Sequence, residues 1–369
     1  MSVFATVPAQ AEAQPRARPG EERCAALDAY RGLIMLLLAS SGFGFRSVAS
    51  HPWLSWVAVQ FDHVPWEGAV FWDMIQPAFM FIVGVAMPFA MARRVGQGAG
   101  GRQLWAHVSL RALRLVLLSQ ILMCISANRL HFQLINVLSQ IAFTYFLCFA
   151  IVQLRLRYQF VAAAAILAGH WLLFVLFPGP DGAFSRTDNI GAVIDRAWLG
   201  RNYPGYYVTI NFLTSTVTTL FGAWTGMLLR SGLAQRVKMF GLAQAAAGCF
   251  AAGLLLGLWN PVVKRLWTVS FTFYSAGWVL LLMLVFYWLM DMRGYRRFAF
   301  PLTVVGMNSI FIYSLEQVLR GWINRALGVF TGNFSFIGVL APLAQSCAVL
   351  LVMWSLCYWL YRRRIFFKL

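Results

Sequence analysis

One histidine and two carboxylates lie close together in the sequence, with Glu67 between His63 and Asp73. A neutral imidazole can take up a proton near pH 7, and a carboxylate beside it can fix its tautomer. The spacing therefore favours His63 and Asp73 as catalytic candidates and Glu67 as a contact to substrate. A lone histidine in a loop is more often an ordinary surface or packing residue, and the spacing by itself leaves that interpretation open.

A second set of side chains is cationic. His107, Arg111 and Arg114 follow one another at i, i+4 and i+7, which places them on one face of a helix. Such a stripe suits the phosphates of a nucleotide, because arginine forks bind phosphate oxygens through paired hydrogen bonds. Snorkelling to anionic lipid head groups explains the same stripe equally well. Asp28 and Arg31 could form an ion pair or belong to the same phosphate-binding mouth.

A third candidate is Glu316, which shares a helix face with Ser309 and Tyr313 in an apolar segment. An ionisable group at membrane depth is costly, so we treat Glu316 as a further catalytic candidate. An ion pair with Lys264 or Arg265 that docks two helices would account for it as well.

The elements that must position these residues are membrane helices. Hydrophobic residues make up 60% of the 369 positions and charged residues 11%, whereas soluble domains have about 25% charged residues. The apolar residues form runs of roughly 20, the length that crosses a bilayer. We predict an all-α polytopic bundle of about ten transmembrane helices, near residues 29–48, 71–92, 104–126, 132–154, 158–178, 207–229, 238–259, 266–290, 299–319 and 336–361.

The distribution of lysine and arginine predicts the orientation. About twice as many of them fall on the side of the N-terminus as on the other side, so both termini are expected to be cytoplasmic. The formal charge of +18 is then mainly a topology signal, and no basic-aromatic surface predicts nucleic acid as a partner. Residues 1–24 are expected to form a disordered cytoplasmic tail, and residues 25–369 the transmembrane domain.

The sequence lacks the motifs that are typical of metal-binding proteins, nucleotide-binding proteins, serine hydrolases and many transporters. The six cysteines are scattered, and neither a C-x-x-C pair nor histidines at metal-ligand spacing are present, so no metal site is predicted. The sequence also has no G-x-G-x-x-G, P-loop or G-x-S-x-G element. It has no internal repeat of the kind that many transporters show, which counts against a sugar or lipid transporter or flippase.

An ordered set of short motifs resembles the membrane domain of heparan-alpha-glucosaminide N-acetyltransferase and its bacterial relatives, from about Leu27 to the C-terminus. The motifs are Leu27-Asp28-Ala-Tyr-Arg31-Gly32, His63-x-x-Trp66-x-Gly68-x4-Asp73-x3-Pro77, Phe81-Ile-Val-Gly84, Thr144-Tyr145-Phe146, Thr209-Ile210-Asn211, Lys264-Arg-Leu266-Trp267-Thr268, Gly306-Met307-Asn308-Ser309 and Arg363-Arg364-Ile365-Phe366. Each motif alone is unspecific, and their order along the chain carries the resemblance.

The resemblance implies an integral membrane enzyme of a bacterial inner membrane that takes acetyl from cytoplasmic acetyl-CoA. The acetyl group would pass to an amino sugar or other glycan acceptor on the exported side. His63 matches the family's active-site histidine. Further residues match motif positions and are expected to contact donor or acceptor; they are Asp28, Arg31, Trp66, Asp73, Asn211, Lys264 and Asn308. The oligomeric state is not readable, and a homodimer stays open.

The chain differs from the family pattern at positions expected to hold substrate or acyl group. Gly42 stands where the family has an asparagine, and Gln76 where it has a phenylalanine. The family's Pro-Gly-Val-Leu-Gln-Arg motif reads Ile135-Asn-Val-Leu-Ser-Gln140 and loses its arginine, and its Asp-Pro-Glu-Gly element appears only as Asn202-Tyr-Pro-Gly205. A catalytically inactive homologue is therefore a further hypothesis.

Overall fold

The computed structural model describes residues 24–297 and 299–367, and within them the chain is mainly helical and has no β-strand. The helices are α1 (Ala25–Ser40), α2 (Ser55–Gln60), α3 (Ile75–Gly96), α4 (Gly101–Ala127), α5 (Val137–Val152), α6 (Leu156–Leu176), α7 (Ile190–Leu199), α8 (Asn211–Arg230), α9 (Gln235–Leu256), α10 (Val269–Phe286), α11 (Phe300–Met307), α12 (Ser309–Thr331) and α13 (Ala341–Arg362). The residues of the predicted tail, 1–23, lie outside the described ranges, so the division into tail and membrane domain stays a prediction.

The predicted all-α polytopic membrane bundle is confirmed. Among the described residues, eight helical segments are long and apolar enough to cross a membrane. One of these segments contains both α12 and α13, and the apolar α5 is shorter, with 16 residues. The ten helices of 16 residues or more correspond in order to the ten predicted spans.

Helix α3 is at the centre of the bundle. Of its most apolar window 72% is buried, against 22% for α4 and for α9. The outer helices expose large apolar side chains, such as Leu113 and Leu117 on α4. Those surfaces suit contact with lipid, because hydrocarbon solvates them as well as a protein core does.

An asparagine stands at each of two helix boundaries that differ from the predicted ones. Asn136 accepts a hydrogen bond from the Ser139 backbone at 2.9 Å, so α5 begins at Val137 rather than near residue 132. Asn308 separates α11 from α12 inside the predicted span 299–319. Its side chain instead binds the chain end, donating to the Ile365 carbonyl at 3.2 Å and accepting from the Phe367 N–H at 3.1 Å.

Glycines bring α3 and α8 into backbone contact. A Cβ atom on Gly84 would lie 2.0 Å from the Thr219 carbonyl oxygen, and one on Gly222 would lie 2.0 Å from the Phe81 carbonyl oxygen. Small residues at a membrane helix crossing allow this close approach, and the dense packing then stabilises the pair. The crossing therefore fixes α3, which carries Asp73 just before its first residue, against α8, which begins at Asn211.

A single methyl group tests this crossing. We expect Gly84→Ala to lower the free energy of unfolding by about 3 kcal/mol, because the backbone it would meet cannot give way as a side chain can. Gly248→Ala on α9 is the matched control, since its Cβ would meet nothing within 4 Å. There the better helix propensity of alanine should leave stability equal or slightly higher. Thermal unfolding of the purified protein in detergent measures both, and equal melting temperatures for the two variants would contradict the tight crossing.

Candidate active site

Two connecting segments meet at one end of the bundle. The first joins α2 to α3 and carries His63; the second joins α9 to α10 and carries Lys264. The Gly68 N–H donates to the Val262 carbonyl at 2.8 Å, and Gly68 and Val263 form an isolated parallel bridge. Arg265 also donates to the Pro65 carbonyl. These backbone contacts hold together two loops that are 200 residues apart in the chain.

His63, Asp73 and Lys264, which we call the His63 cluster, are in mutual contact. His63 Nδ1 lies 2.6 Å from Asp73 Oδ1, and Lys264 Nζ lies 3.2 Å from the same oxygen. Lys264 Nζ also approaches His63 Nδ1, at 3.3 Å. The Asp73 side chain is 1% exposed and that of Lys264 6%, whereas that of His63 is 43% exposed. A buried ion pair thus underlies an accessible imidazole.

The contacts of the cluster indicate the tautomer of His63. Because Asp73 Oδ1 is an acceptor and Lys264 Nζ a donor, the short contact to Asp73 is best made by a protonated Nδ1. The ammonium group then donates to Asp73 and only approaches the ring. Nε2 is left with its lone pair and has no hydrogen-bond partner within residues 24–297 and 299–367. An imidazole in this state can accept a proton or attack an electrophile at Nε2.

Both partners of His63 are held by their local backbone. Asp73 lies in a single 3-10 turn, Phe71–Met74, that leads into α3, and its Oδ2 accepts from the Val70 N–H at 3.3 Å. The positive end of a helix stabilises a carboxylate at this position. Behind Lys264, the fully buried Trp267 donates its backbone N–H to the Lys264 carbonyl at 3.0 Å and its indole N–H to Thr218 at 3.2 Å.

An aromatic and cationic wall stands beside the cluster. The Trp66 indole donates to the Phe184 carbonyl at 2.9 Å, which ties the His63 loop to the segment between α6 and α7. The Arg265 guanidinium lies 5.9 Å from the ring centre of Trp66 and 6.0 Å from that of Tyr207. Glu67 is exposed near this wall. Trp66, Glu67 and Arg265 therefore border the open side of the site.

A buried amide network adjoins the cluster, and sequence reasoning did not assign its glutamines to the site. Gln140 donates to Asn211 Oδ1 at 3.3 Å and to Ser215 at 3.0 Å, and it accepts from Gln76. Asn211 in turn donates to the Arg265 carbonyl at 3.3 Å. Gln76 follows Asp73 by about one helical turn. Both glutamines were noted only as differences from the relatives' pattern, and the rarity of polar side chains in apolar spans is the signal that could have assigned them to the site.

Two predicted site residues stand apart from the His63 cluster. Glu316 accepts from Gln317 at 2.9 Å and has Arg320 as its charged neighbour. Arg320 itself donates to the carbonyls of Ala39 and Ser40, at the end of α1. Asn308 binds the chain end, as described above. The structure shows no contact of Glu316 or Asn308 with His63, Asp73 or Lys264 among the described residues, and their assigned roles stay predictions.

The segment before α8 is fixed by a buried carboxylate outside the membrane spans. Asp195 on α7 is 2% exposed and accepts from the Thr209 N–H at 2.9 Å. Burial raises the pKa of Asp195 above its ordinary value, and the hydrogen bond from Thr209 opposes that shift. Through Thr209 this contact sets where α8 begins, and thereby where Asn211 lies.

The cationic stripe lies towards the other end of the bundle and gains two members. Arg94, at the end of α3, is within electrostatic range of His107, and Arg31 is within range of Arg111. We call these four residues, together with Arg114, the basic cluster: Arg31, Arg94, His107, Arg111 and Arg114. Asp73 and Arg94 are separated along α3 by about 30 Å at the helical rise, which equals the thickness of a bilayer core.

Arg111 is the most enclosed arginine of α4 in this cluster. Its guanidinium lies 4.6 Å from the ring centre of Tyr145, and its Nε is buried without a hydrogen-bond partner within the described ranges. The Tyr145 hydroxyl is also buried and unpaired there. Asp28 forms an ion pair with Arg31 at 3.8 Å. Unsatisfied donors beside a cationic group are what an incoming anion could bind.

The chain is similar over nearly its whole length to two mammalian proteins. The chain is 22% identical to heparan-alpha-glucosaminide N-acetyltransferase of Mus musculus over 439 aligned positions, which cover 98% of this chain and 63% of that protein. It is also 22% identical to the Homo sapiens protein of the same name, over 94% of this chain and 60% of that protein. The chain is a distant relative of these two proteins. It spans about three fifths of their length.

No protein-family model matches the chain. The relationship therefore rests on the two alignments, which cover nearly all of this chain. Within the described ranges, no three histidine, cysteine, aspartate or glutamate side chains come together in a way that could hold a metal ion.

The buried ion pair can be tested by a double-mutant cycle. We expect Lys264→Met to lower stability by about 3–5 kcal/mol, because it leaves the Asp73 carboxylate buried without a cation. Asp73→Asn alone should destabilise too, since it strands the ammonium group. The double variant, Asp73→Asn with Lys264→Met, should lose less than the sum of the two, which thermal unfolding measures. Strictly additive losses would show that the two side chains do not interact.

Proposed function

We propose that this protein is a membrane acetyltransferase that moves acetyl from acetyl-CoA, bound at the basic cluster, to a sugar or other glycan acceptor at the His63 cluster. The observation that carries the proposal is the His63 cluster itself: an accessible imidazole held by a buried carboxylate and ammonium pair. The distant relationship to an N-acetyltransferase supports the same class of reaction.

The geometry of His63 suits two routes. In the direct route, Nε2 removes a proton from the acceptor amine or hydroxyl as that group attacks the thioester carbonyl. In the two-step route, Nε2 attacks the carbonyl first, the carbon–sulfur bond breaks, and CoA leaves as a thiolate; the acceptor then takes the acetyl group from the imidazole. In both, Asp73 stabilises the positive charge that develops on the ring, and Lys264 stays paired with the Asp73 carboxylate.

The basic cluster would bind the nucleotide and phosphates of the donor. Arginine recognises phosphate oxygens through two parallel hydrogen bonds, and Arg111 has an unpaired donor at this place. Between the two clusters, α5 and α8 carry buried polar side chains, among them Gln140, Thr144, Ser215 and Thr218. A pantetheine arm that entered between these helices would exchange its amide hydrogen bonds to water for hydrogen bonds with these groups.

The orientation follows from the same arrangement. The resemblance implies that acetyl-CoA comes from the cytoplasm. The basic cluster, which would bind it, and both termini would therefore face the cytoplasm. The acceptor would then be modified on the exported side, beside Trp66 and Glu67. A bacterial inner membrane and a homodimeric assembly remain expectations from the sequence.

The proposal predicts which step fails without His63. We expect His63→Ala to lower acetyl transfer by about 10²–10⁴-fold, the contribution of a positioned acid–base group. Binding of CoA should be unchanged, because the basic cluster, which would bind the donor's phosphates, does not include His63 and lies towards the other end of α3. Incubation of the purified protein with radiolabelled acetyl-CoA and an amino sugar measures transfer, and isothermal titration with CoA measures binding.

His51→Ala is the control for this experiment, because His51 lies on the same connection between α1 and α3. Its ring nitrogen Nδ1 has no hydrogen-bond partner within the described ranges. Retention of label on the wild-type protein before acceptor is added would select the two-step route. Wild-type turnover in the His63 variant would remove this residue from the mechanism. Absence of transfer by the wild-type protein with every acceptor tried would favour the inactive homologue.

A second experiment tests the donor site. We expect the Arg111→Ala, Arg114→Ala double variant to bind CoA more weakly by about 1.5–3 kcal/mol, the scale of hydrogen bonds to charged groups. The control is the double variant Arg155→Ala, Arg157→Ala at the start of α6, which removes two exposed cations, also predicted to be cytoplasmic. Equal CoA affinity in both double variants would leave only the interpretation that Arg111 and Arg114 bind lipid head groups.

A further inference from the structure

A large apolar groove lies between α1, α3 and α10 and plays no part in the chemistry described so far. Its volume is about 320 Å³, and Ile34, Leu37, Met74, Val279 and Leu282 are among its lining residues. Its polar lining is limited to a few side chains near its ends. One of these, the Tyr30 hydroxyl, is engaged because it donates to the Val279 carbonyl at 3.3 Å.

One end of the groove adjoins the His63 cluster. Val70 and Phe71 line that end. The Val70 N–H donates to Asp73 Oδ2, the carboxylate whose other oxygen contacts His63. The Phe71 N–H donates to Gln60, which also lines the groove, at 3.2 Å. The mouth of the groove is therefore built on the same carboxylate turn as the candidate active site.

The groove runs along the membrane helices and opens sideways. Its lining extends from Tyr274 to Val285 on α10, which is about 16 Å at the helical rise. That depth is about half of a bilayer core of about 30 Å, or one lipid leaflet. Trp278, Leu281 and Val285 of its lining are 45%, 37% and 41% exposed on the outer surface of the bundle. A molecule in the bilayer can enter the groove without passing through water.

The chemistry of the lining selects the occupant. The pantetheine arm of CoA carries two amides, and amides that enter apolar surroundings without partners lose their hydrogen bonds to water. The groove between α1, α3 and α10 offers few such partners, because most of its lining is aliphatic or aromatic. An aliphatic chain has no polar groups to satisfy, and it matches the groove in length, lining and lateral access.

We propose that the acceptor is a glycolipid, whose alkyl or prenyl tail lies in this groove while its sugar head group reaches Nε2 of His63 at the mouth. The role of the glycolipid as acceptor rests on the proposed acetyl transfer. The binding of its tail rests on the groove alone. Transfer then forms an N–C or O–C bond between the sugar and the acetyl carbon, breaks the bond to the thioester sulfur or to the His63 imidazole, and passes the acceptor's proton to His63.

A binding experiment tests the tail without requiring activity. Purified protein in phosphatidylcholine nanodiscs is exposed to an alkyl glucosaminide that carries a photoreactive diazirine in its tail, and labelled peptides are mapped. We expect labelling of α1, α3 and α10 that an unlabelled dodecyl glucosaminide prevents and that extra phosphatidylcholine at the same mole fraction does not. Equal competition by both would show a groove that holds ordinary bilayer lipid only, and would overturn the proposal.

The variant Leu281→Trp tests whether filling the groove prevents labelling. Leu281 is 37% exposed, so the larger ring can be accommodated at the lateral opening. It should reduce labelling at least fivefold. Leu254→Trp on α9 is the matched control, since Leu254 is an exposed apolar residue outside the groove. Unchanged labelling of the Leu281→Trp protein would contradict occupation of the groove.

Kinetics link the groove to the reaction. With a series of alkyl glucosaminides at fixed mole fraction in the nanodisc, we expect kcat/KM to rise at least tenfold from a four-carbon to a ten-carbon tail in the wild type and in Leu254→Trp. The rise should be lost in Leu281→Trp, while transfer to free glucosamine stays unchanged. A flat series in the wild type would overturn the proposal. Specific labelling without any transfer would instead refute the proposed enzyme activity and leave the lipid site standing.

Discussion

A carboxylate that is almost completely buried in an apolar bundle needs a cation within hydrogen-bonding distance, and Asp73 has two candidates. Lys264 comes from a loop nearly two hundred residues further along the chain, so the ion pair can form only if that loop is held against the start of α3. The bridge at Gly68, the contact from Arg265 to Pro65 and the buried Trp267 all hold it there. His63 then takes its tautomer and its orientation from a charge pair that is already compensated.

The helical architecture was readable from the sequence because hydrocarbon imposes a simple rule on composition. Apolar runs of a fixed length must be helical, and the ten long helices follow the ten runs. The ends of the helices were harder to predict. Asn136 begins α5 by accepting a hydrogen bond from its first turn, and Asn308, between α11 and α12, binds Ile365 near the chain end; neither partner can be deduced from local hydropathy.

The candidate site was predictable in part for a similar reason. His63 and Asp73 are ten residues apart, so their contact follows from a short connection, whereas the resemblance marked Lys264 only as a contact to donor or acceptor and did not predict its contact with Asp73. Glu316 and Asn308 were chosen by polarity and motif, and they lie away from the cluster because helices α11 and α12 pack against α1 and the chain end. Gln76 and Gln140 were noted as differences from the relatives' pattern, but a pairwise amide contact between α3 and α5 depends on the packing of the bundle.

The close crossing of α3 and α8 also bears on how a group can move from one face of the membrane to the other. Transporters that expose a site alternately to each side need two halves that rock against each other. Here the glycine crossing binds α3 to α8 without a side-chain layer between them, and α3 carries the Asp73 turn at one end and Arg94 at the other. The distance between Asp73 and Arg94 along α3 is therefore fixed. In the proposed reaction the length of the donor's flexible arm then limits how far from the basic cluster the acetyl group can be delivered.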